Sequence, residues 1–116
     1  MVGLAAEARL RRGTIVVARA PEDNKPGRPV LVIRSDALNM TPWVATLPFT
    51  TDLELDMPHW VLVRPTLENG LEWPSRVMVD FPQTVRLSRI GRLIGALDKP
   101  TLAKVTAQLA AALGLS

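Results

Sequence analysis

Ten prolines divide this 116-residue sequence into short segments and limit what the chain can fold into. Proline cannot donate a backbone hydrogen bond and clashes with the preceding helical turn, so it excludes long uninterrupted helices. Short apolar runs of about strand length lie between the prolines. Their spacing of about 10–15 residues predicts a compact antiparallel barrel or twisted sheet. The six runs are Thr14–Ala18, Val30–Ile33, Trp43–Leu47, Trp60–Val63, Val77–Val79 and Arg92–Leu97.

The end of the chain follows a different pattern. Asp98 is a suitable helix cap, and Pro100 fits the first helical turn, where its missing N–H costs little. Gly114 is a natural stop. The sequence therefore predicts a helix over residues 98–114, packed on the sheet by its apolar stripe. The stripe consists of Leu102, Val105, Leu109 and Leu113.

The length is that of one ordinary domain, predicted to cover residues 1–116 with an N-terminal extension over 1–11. A short helical turn is expected at Leu4–Leu10. Apolar residues make up 47% of the chain, enough for a real core. No apolar run approaches the roughly 20 residues of a membrane span, and the first 12 residues contain no signal-length apolar stretch. We expect a soluble, cytoplasmic protein without a membrane partner.

Several classes of chemistry are excluded by residue counts. There is no cysteine, so disulfides, thiolate zinc sites and cysteine nucleophiles are ruled out. His59 is the one histidine, which excludes a two-histidine site within one chain. No Gly-rich phosphate loop, G-x-S-x-G or H-E-x-x-H motif occurs. We predict no metal and no cofactor, and chemistry based on arginine, hydroxyl and carboxylate groups.

The cations are mostly arginine, with 14 Lys+Arg residues against 11 Asp+Glu and a net charge of +3. Arginine grips phosphate with a planar fork. Residues 52–75 carry five acids and one base, whereas residues 76–104 carry six bases and two acids. This distribution fits a basic face for an anionic ligand and an acidic face for another partner. An evenly mixed solvated surface fits it equally well.

Polar residues at the ends of the apolar runs are the first candidates for a site, because functional groups concentrate there. Arg28 enters the second run and is either a phosphate clamp or a solvated loop arginine. Thr50 and Thr51 end the third and either contact phosphate or satisfy local backbone groups. Asp80 is either a base, an orienter of Arg28 or an organiser of its own turn.

His59 and Trp60 place a titratable ring beside a large stacking surface. Trp60 is equally consistent with a place in the core. With five aromatic residues and no tyrosine, the chain does not predict a broad base-stacking platform.

Six sequence segments occur together in one order. The chain resembles the MazF/PemK family of toxins from Arg12 to Leu115. The matching segments are Arg12-Gly13, then Gly27 to Ile33 with Ser35-Asp36 and Asn39, Pro48 to Thr51, Pro74 to Asp80, Thr84 with Arg89-Ile90-Gly91, and the helix after Leu97.

The resemblance implies a mainly β fold, a small SH3-like antiparallel β-barrel with a C-terminal α-helix. It also implies a homodimer that binds single-stranded RNA in a groove across its subunits and is inhibited by a cognate antitoxin protein. The implied activity is that of a toxin–antitoxin endoribonuclease. In it the RNA 2′-hydroxyl attacks the adjacent phosphate without a metal, leaving 2′,3′-cyclic phosphate and 5′-hydroxyl ends.

Residue roles follow from the same resemblance. Arg28, Thr50 and Asp80 match catalytic positions, with Arg28 as the phosphate stabiliser. The expected RNA contacts are Thr51, His59, Trp60, Glu22, Asp23 and Arg89. The chain departs from the family pattern in a shorter first loop, and in Met78 and Gln83 where members carry arginines.

Those two missing cations favour an alternative. The same barrel could act without nuclease activity, either binding RNA only or inhibiting a protein target, as the gyrase poison CcdB does. A transcription regulator has less support, because no helix-turn-helix pair is visible.

Overall fold

The apolar runs form β-strands in the computed structural model, which describes residues 10–19, 26–38 and 40–116. Within these ranges the chain contains seven strands, two short 3-10 turns at Asp36–Leu38 and Leu87–Arg89, and a helix, α1, at Lys99–Ala112. The strands are β1 Thr14–Ala18, β2 Arg28–Val32, β3 Trp43–Thr50, β4 Val61–Val63, β5 Ser75–Val77, β6 Gln83–Arg86 and β7 Ile90–Ala96.

The strands form one curled antiparallel sheet in the order β4-β5-β3-β2-β1-β7. One edge of the long strand β3 serves two partners: Trp43–Thr46 pair with β6, and Phe49 and Thr50 pair with β5. This division at β3 curls the sheet into a half-barrel. The mainly β fold with a C-terminal helix that the sequence predicts is confirmed.

Both faces of the central strands are buried. Successive side chains of a strand point to opposite faces, so β1 directs Ile15 into one apolar cluster and Val16 into another. β2 does the same, with Leu31 on one side and its neighbours Val30 and Val32 on the other. Burial on both faces explains why these strands appear in the sequence as continuous apolar runs without polar alternation.

The helix begins at its predicted cap. The Asp98 carboxylate accepts hydrogen bonds from the Thr101 hydroxyl at 2.8 Å and the Thr101 amide at 3.0 Å. Both bonds stabilise the charged carboxylate and lower the pKa of Asp98 below its ordinary value, and the bond from the hydroxyl has the larger effect.

Helix α1 covers the cluster that contains Ile15. Val105 is fully buried there, and Leu102 and Leu109 are partly buried. The predicted stripe was wrong at its last member. Leu113 is 49% exposed, because the helix ends at Ala112 before that side chain can reach the sheet.

Strand β6 lies outside the six predicted runs: Gln83–Arg86 pairs with β3. The predicted turn at Leu4–Leu10 falls almost wholly outside the described residues, as do Asn39, Glu22 and Asp23. No helix in the described ranges is long and apolar enough to cross a membrane.

A candidate nucleic-acid interface

Arg28 and Thr50 lie in one row across neighbouring strands. β2 and β3 pair Val30 with Pro48, and the same register continued by two residues places Arg28 opposite Thr50. On its other side Thr50 is paired with Arg76 of β5. Because register partners in an antiparallel sheet share a face, the row presents two guanidinium groups on either side of one hydroxyl.

A groove of about 790 Å³ borders Arg28. Arg19, Arg86 and Arg89 also line it, together with Gln83, Thr84 and an apolar floor that includes Val30 and Pro48. No aspartate or glutamate is among the described residues that line the groove. Four arginines without acids make a surface that attracts anions.

Trp43 lies on this groove, stacked against Arg86. The two residues are register partners on β3 and β6, and the Arg86 guanidinium carbon is 4.5 Å from the centroid of the Trp43 ring. This is a cation–π contact. The ring remains 47% exposed. Sequence reasoning missed both residues, because Trp43 stands at the start of an apolar run and exposure cannot be deduced from such a run.

Arg76 holds the segment between β3 and β4. Its Nη1 donates to the carbonyl oxygens of Leu53 at 2.6 Å and Leu55 at 3.1 Å. Its Nε lies 3.7 Å from an oxygen of the Asp56 carboxylate. The guanidinium is thus used for fixing a loop beside Thr50, whose own hydroxyl accepts from the Asp52 amide at 3.1 Å.

Asp80 is joined to Trp60 and not to Arg28. The indole Nε1 of Trp60 donates to the Asp80 carboxylate at 2.7 Å. The ring also meets Phe81 edge to face, with centroids 6.1 Å apart. Among the described residues no hydrogen bond or ion pair links Asp80 to Arg28 or Thr50. The structure therefore favours Asp80 as an organiser of the Trp60 side chain.

The other predicted RNA contacts are dispersed. Thr51 is exposed and lines a second hollow of about 500 Å³, together with Arg92. His59 is exposed beside Trp60. Arg89 lines the arginine groove, and its carbonyl accepts from the Arg19 amide at 3.0 Å. Glu22 and Asp23 lie outside the described residues, so their roles stay predictions.

Within the described ranges, no three His, Cys, Asp or Glu residues cluster at a distance that could hold a metal ion. The described side chains of the groove offer direct contacts to phosphate. Guanidinium groups donate bidentate hydrogen bonds to phosphate. A threonine hydroxyl next to them can donate to a phosphate oxygen or accept from a sugar hydroxyl.

In the described residues, a curled antiparallel sheet, a C-terminal helix and an arginine-lined groove define a small, mainly β protein with a cationic groove. Residues 11–113 match the family model described as PemK-like, MazF-like toxin of type II toxin-antitoxin system. The chain therefore belongs to this family of toxins, as the sequence resemblance predicts.

Individual relatives agree with that assignment. The chain is 34% identical over 110 residues to a Mycolicibacterium smegmatis protein named "Probable endoribonuclease MazF", covering 92% of this chain and 99% of the relative. It is similar to Mycobacterium tuberculosis toxin MazF-mt6, with a TM-score of 0.76 at 26% identity over 89% of this chain and 98% of that one. A mycobacterial endoribonuclease in complex with its cognate antitoxin gives a TM-score of 0.75 at 26% identity, covering 91% and 94%.

Proposed function

We propose that this toxin is an endoribonuclease that cuts single-stranded RNA without a metal ion. The observation that carries the proposal is the row of Arg28 and Thr50 beside the arginine groove, in a chain of this family. The groove's four arginines suit a polyanion. A relative named as an endoribonuclease supports RNA as the substrate.

In the proposed reaction the 2′-oxygen of a ribose forms a bond to the adjacent phosphorus, and the bond from phosphorus to the 5′-oxygen breaks. The 2′-hydroxyl loses its proton to a base, and the departing 5′-oxygen gains one from an acid. Arg28 stabilises the charge that accumulates on the phosphate oxygens. Thr50 positions the phosphate by a hydrogen bond. Asp80 positions the Trp60 side chain, whose indole donates a hydrogen bond to its carboxylate.

The proposed partners are RNA, a second copy of the chain and an antitoxin. The structure of a related endoribonuclease contains its cognate antitoxin, and an acidic antitoxin segment would complement the arginines here. A homodimer would let each site draw on residues of both subunits. Such a toxin acts on RNA in the cytoplasm.

The decisive experiment incubates purified protein with single-stranded RNA in excess chelator and determines the product ends. We expect fragments with 2′,3′-cyclic phosphate and 5′-hydroxyl termini at a small set of sequences. Products with 5′-phosphate ends would contradict the proposed attack by the 2′-hydroxyl. Stable binding without cutting would identify an RNA-binding barrel instead, and inhibition of gyrase supercoiling without RNA cutting would identify a protein poison.

A further inference from the structure

Trp43 is a large apolar side chain that the core does not use. It opens β3 with 47% of its surface exposed, although the next residue, Val44, is fully buried. Several large apolar side chains are exposed in this protein, and Trp43 differs from the others in lying on the arginine groove. The position on the arginine groove indicates which kind of ligand this surface fits.

The contact between Trp43 and Arg86 further defines the kind of ligand that this surface fits. The Arg86 guanidinium carbon lies over the ring, 4.5 Å from its centroid. No carboxylate lies within ion-pairing distance of Arg86 in the described part of the chain. The guanidinium can therefore donate to an anion while it stays in contact with the indole. A stacking surface and a phosphate-binding edge occur in one cross-strand pair.

We propose that Trp43 and Arg86 form a subsite for one unpaired nucleobase of the RNA strand whose phosphates follow the groove. This inference rests on the proposed function and adds a position at which a base is held. In single-stranded RNA the bases are free to stack on aromatic rings and guanidinium planes. In a duplex both faces of each base are already occupied, so the subsite selects single strands.

Thr84 supplies a polar group beside this pair. It lines the same groove and lies two residues from Arg86 on β6, so the two side chains leave the strand on the same face. Its hydroxyl can donate to or accept from the edge of a base.

The test compares wild-type protein with Trp43→Ala in binding to 2′-O-methyl RNA, which lacks the attacking hydroxyl and stays intact. Two oligonucleotides of equal length are used, one with bases and one with abasic residues throughout. We expect Trp43→Ala to weaken binding of the base-bearing strand by roughly tenfold to a hundredfold. Binding of the abasic strand should be unchanged, because phosphate contacts do not involve the indole.

Two variants separate stacking from charge and from folding. Trp43→Phe keeps an aromatic face and should recover most of the lost affinity. Arg86→Lys keeps the charge without the plane and should weaken the base-bearing strand more than the abasic one. Leu67, a fully exposed apolar side chain that lines neither hollow, provides the control, and Leu67→Ala should bind as wild type does.

Equal affinity of Trp43→Ala and wild type for the base-bearing strand would overturn the subsite while leaving the nuclease proposal intact. Equal losses on both strands would also overturn it, because they would assign Trp43 to phosphate binding or to folding. If wild-type protein binds neither strand, the proposed function and the subsite both fail.

Discussion

The Trp60 indole donates a 2.7 Å hydrogen bond to the Asp80 carboxylate, joining the start of the β4 segment to the turn after β5. The carboxylate therefore has a structural partner. In that position it can fix the ring of Trp60, which also packs on the main core cluster. The sequence suggested that Asp80 is a base, an orienter of Arg28 or an organiser of its own turn, and the contact with Trp60 adds a fourth possible role.

Replacing Asp80 tests whether the residue acts as a general base or by holding the Trp60 side chain. Asp80→Asn keeps an oxygen that can accept from the indole, so we expect cleavage within about threefold of wild type. Asp80→Ala removes the acceptor and should lower cleavage about tenfold, since one charge-assisted hydrogen bond contributes about 1.5 kcal/mol or more. Rates are measured on one RNA over a range of pH. A loss of a thousandfold in Asp80→Asn, with a changed pH profile, would instead identify a general base.

Arg28→Ala is expected to lower kcat/KM for RNA cleavage by about a hundredfold to a thousandfold, because a positioned donor to developing negative charge is lost. The side chain is exposed, so the free energy of unfolding should change by no more than about 0.5 kcal/mol. The matched control is Arg64→Ala, an exposed arginine outside the groove. Wild-type cleavage by Arg28→Ala would remove this residue from the mechanism.

Arg76→Ala should release the segment between β3 and β4. It removes both hydrogen bonds to the Leu53 and Leu55 carbonyls, and we expect a loss of about 1–3 kcal/mol in unfolding free energy. Asp56→Asn is the matched comparison. Asp56 is 72% exposed and its ion pair to Arg76 is screened by water, so this change should be nearly neutral.

Denaturant melts and hydrogen exchange of residues 53–56 measure that effect. Faster exchange in this segment in Arg76→Ala, but not in Asp56→Asn, would assign the fixing of the loop to the carbonyl contacts. If exchange were faster than in wild type by the same factor in both variants, the ion pair would be what holds the loop.

The cap of α1 predicts a pH dependence of stability. The pKa of Asp98 is lower in the folded chain than its ordinary 3.8, so its stabilising effect is complete above pH 3.8. That effect is lost as the pH falls below 3.8 through the lowered folded value. Wild type should thus melt at a higher temperature than Asp98→Ala at pH 7, and the two should converge in acid.

Asp98→Asn provides the control for that titration. Asparagine is an equally good cap without a titrating group, so its advantage over Asp98→Ala should persist in acid. A difference between wild type and Asp98→Ala that is constant from pH 7 to pH 2 would contradict the assignment.

The strands that the sequence predicts well are those buried on both faces. The run Thr14–Ala18 coincides with β1, and β2 differs from its run by one or two residues at each end. Prolines were taken as strand boundaries, yet Pro48 lies inside β3. It lies at the break between the residues that pair with β6 and those that pair with β5, where a missing N–H interrupts neither ladder. Its carbonyl accepts from the Met78 amide at 3.0 Å.

β6 escaped prediction for the opposite reason. Three of its four residues, Gln83, Thr84 and Arg86, are exposed, so the segment carries no apolar run. All four of its residues line the arginine groove, and Arg86 is one of the four arginines there. Arg28 and Thr50 are candidates from their places at the ends of apolar runs, and the resemblance matches them to catalytic positions. Trp43 and Arg86 meet only through strand pairing between distant segments. Side chains brought together in this way leave no local pattern in a sequence.

The pairing of β1 with β7 has a consequence for how the protein is made. Thr14 pairs with Ala96, so the backbone groups on the outer edge of β1 have no strand partner until β7 pairs with them. Non-local pairing of this kind folds late. The Arg19 amide and the Arg89 carbonyl meet at one end of the same strand pair, so the pairing of β7 with β1 also brings these two groove residues together. A ribosome that has not yet released β7 therefore carries a chain whose arginine groove is not yet assembled.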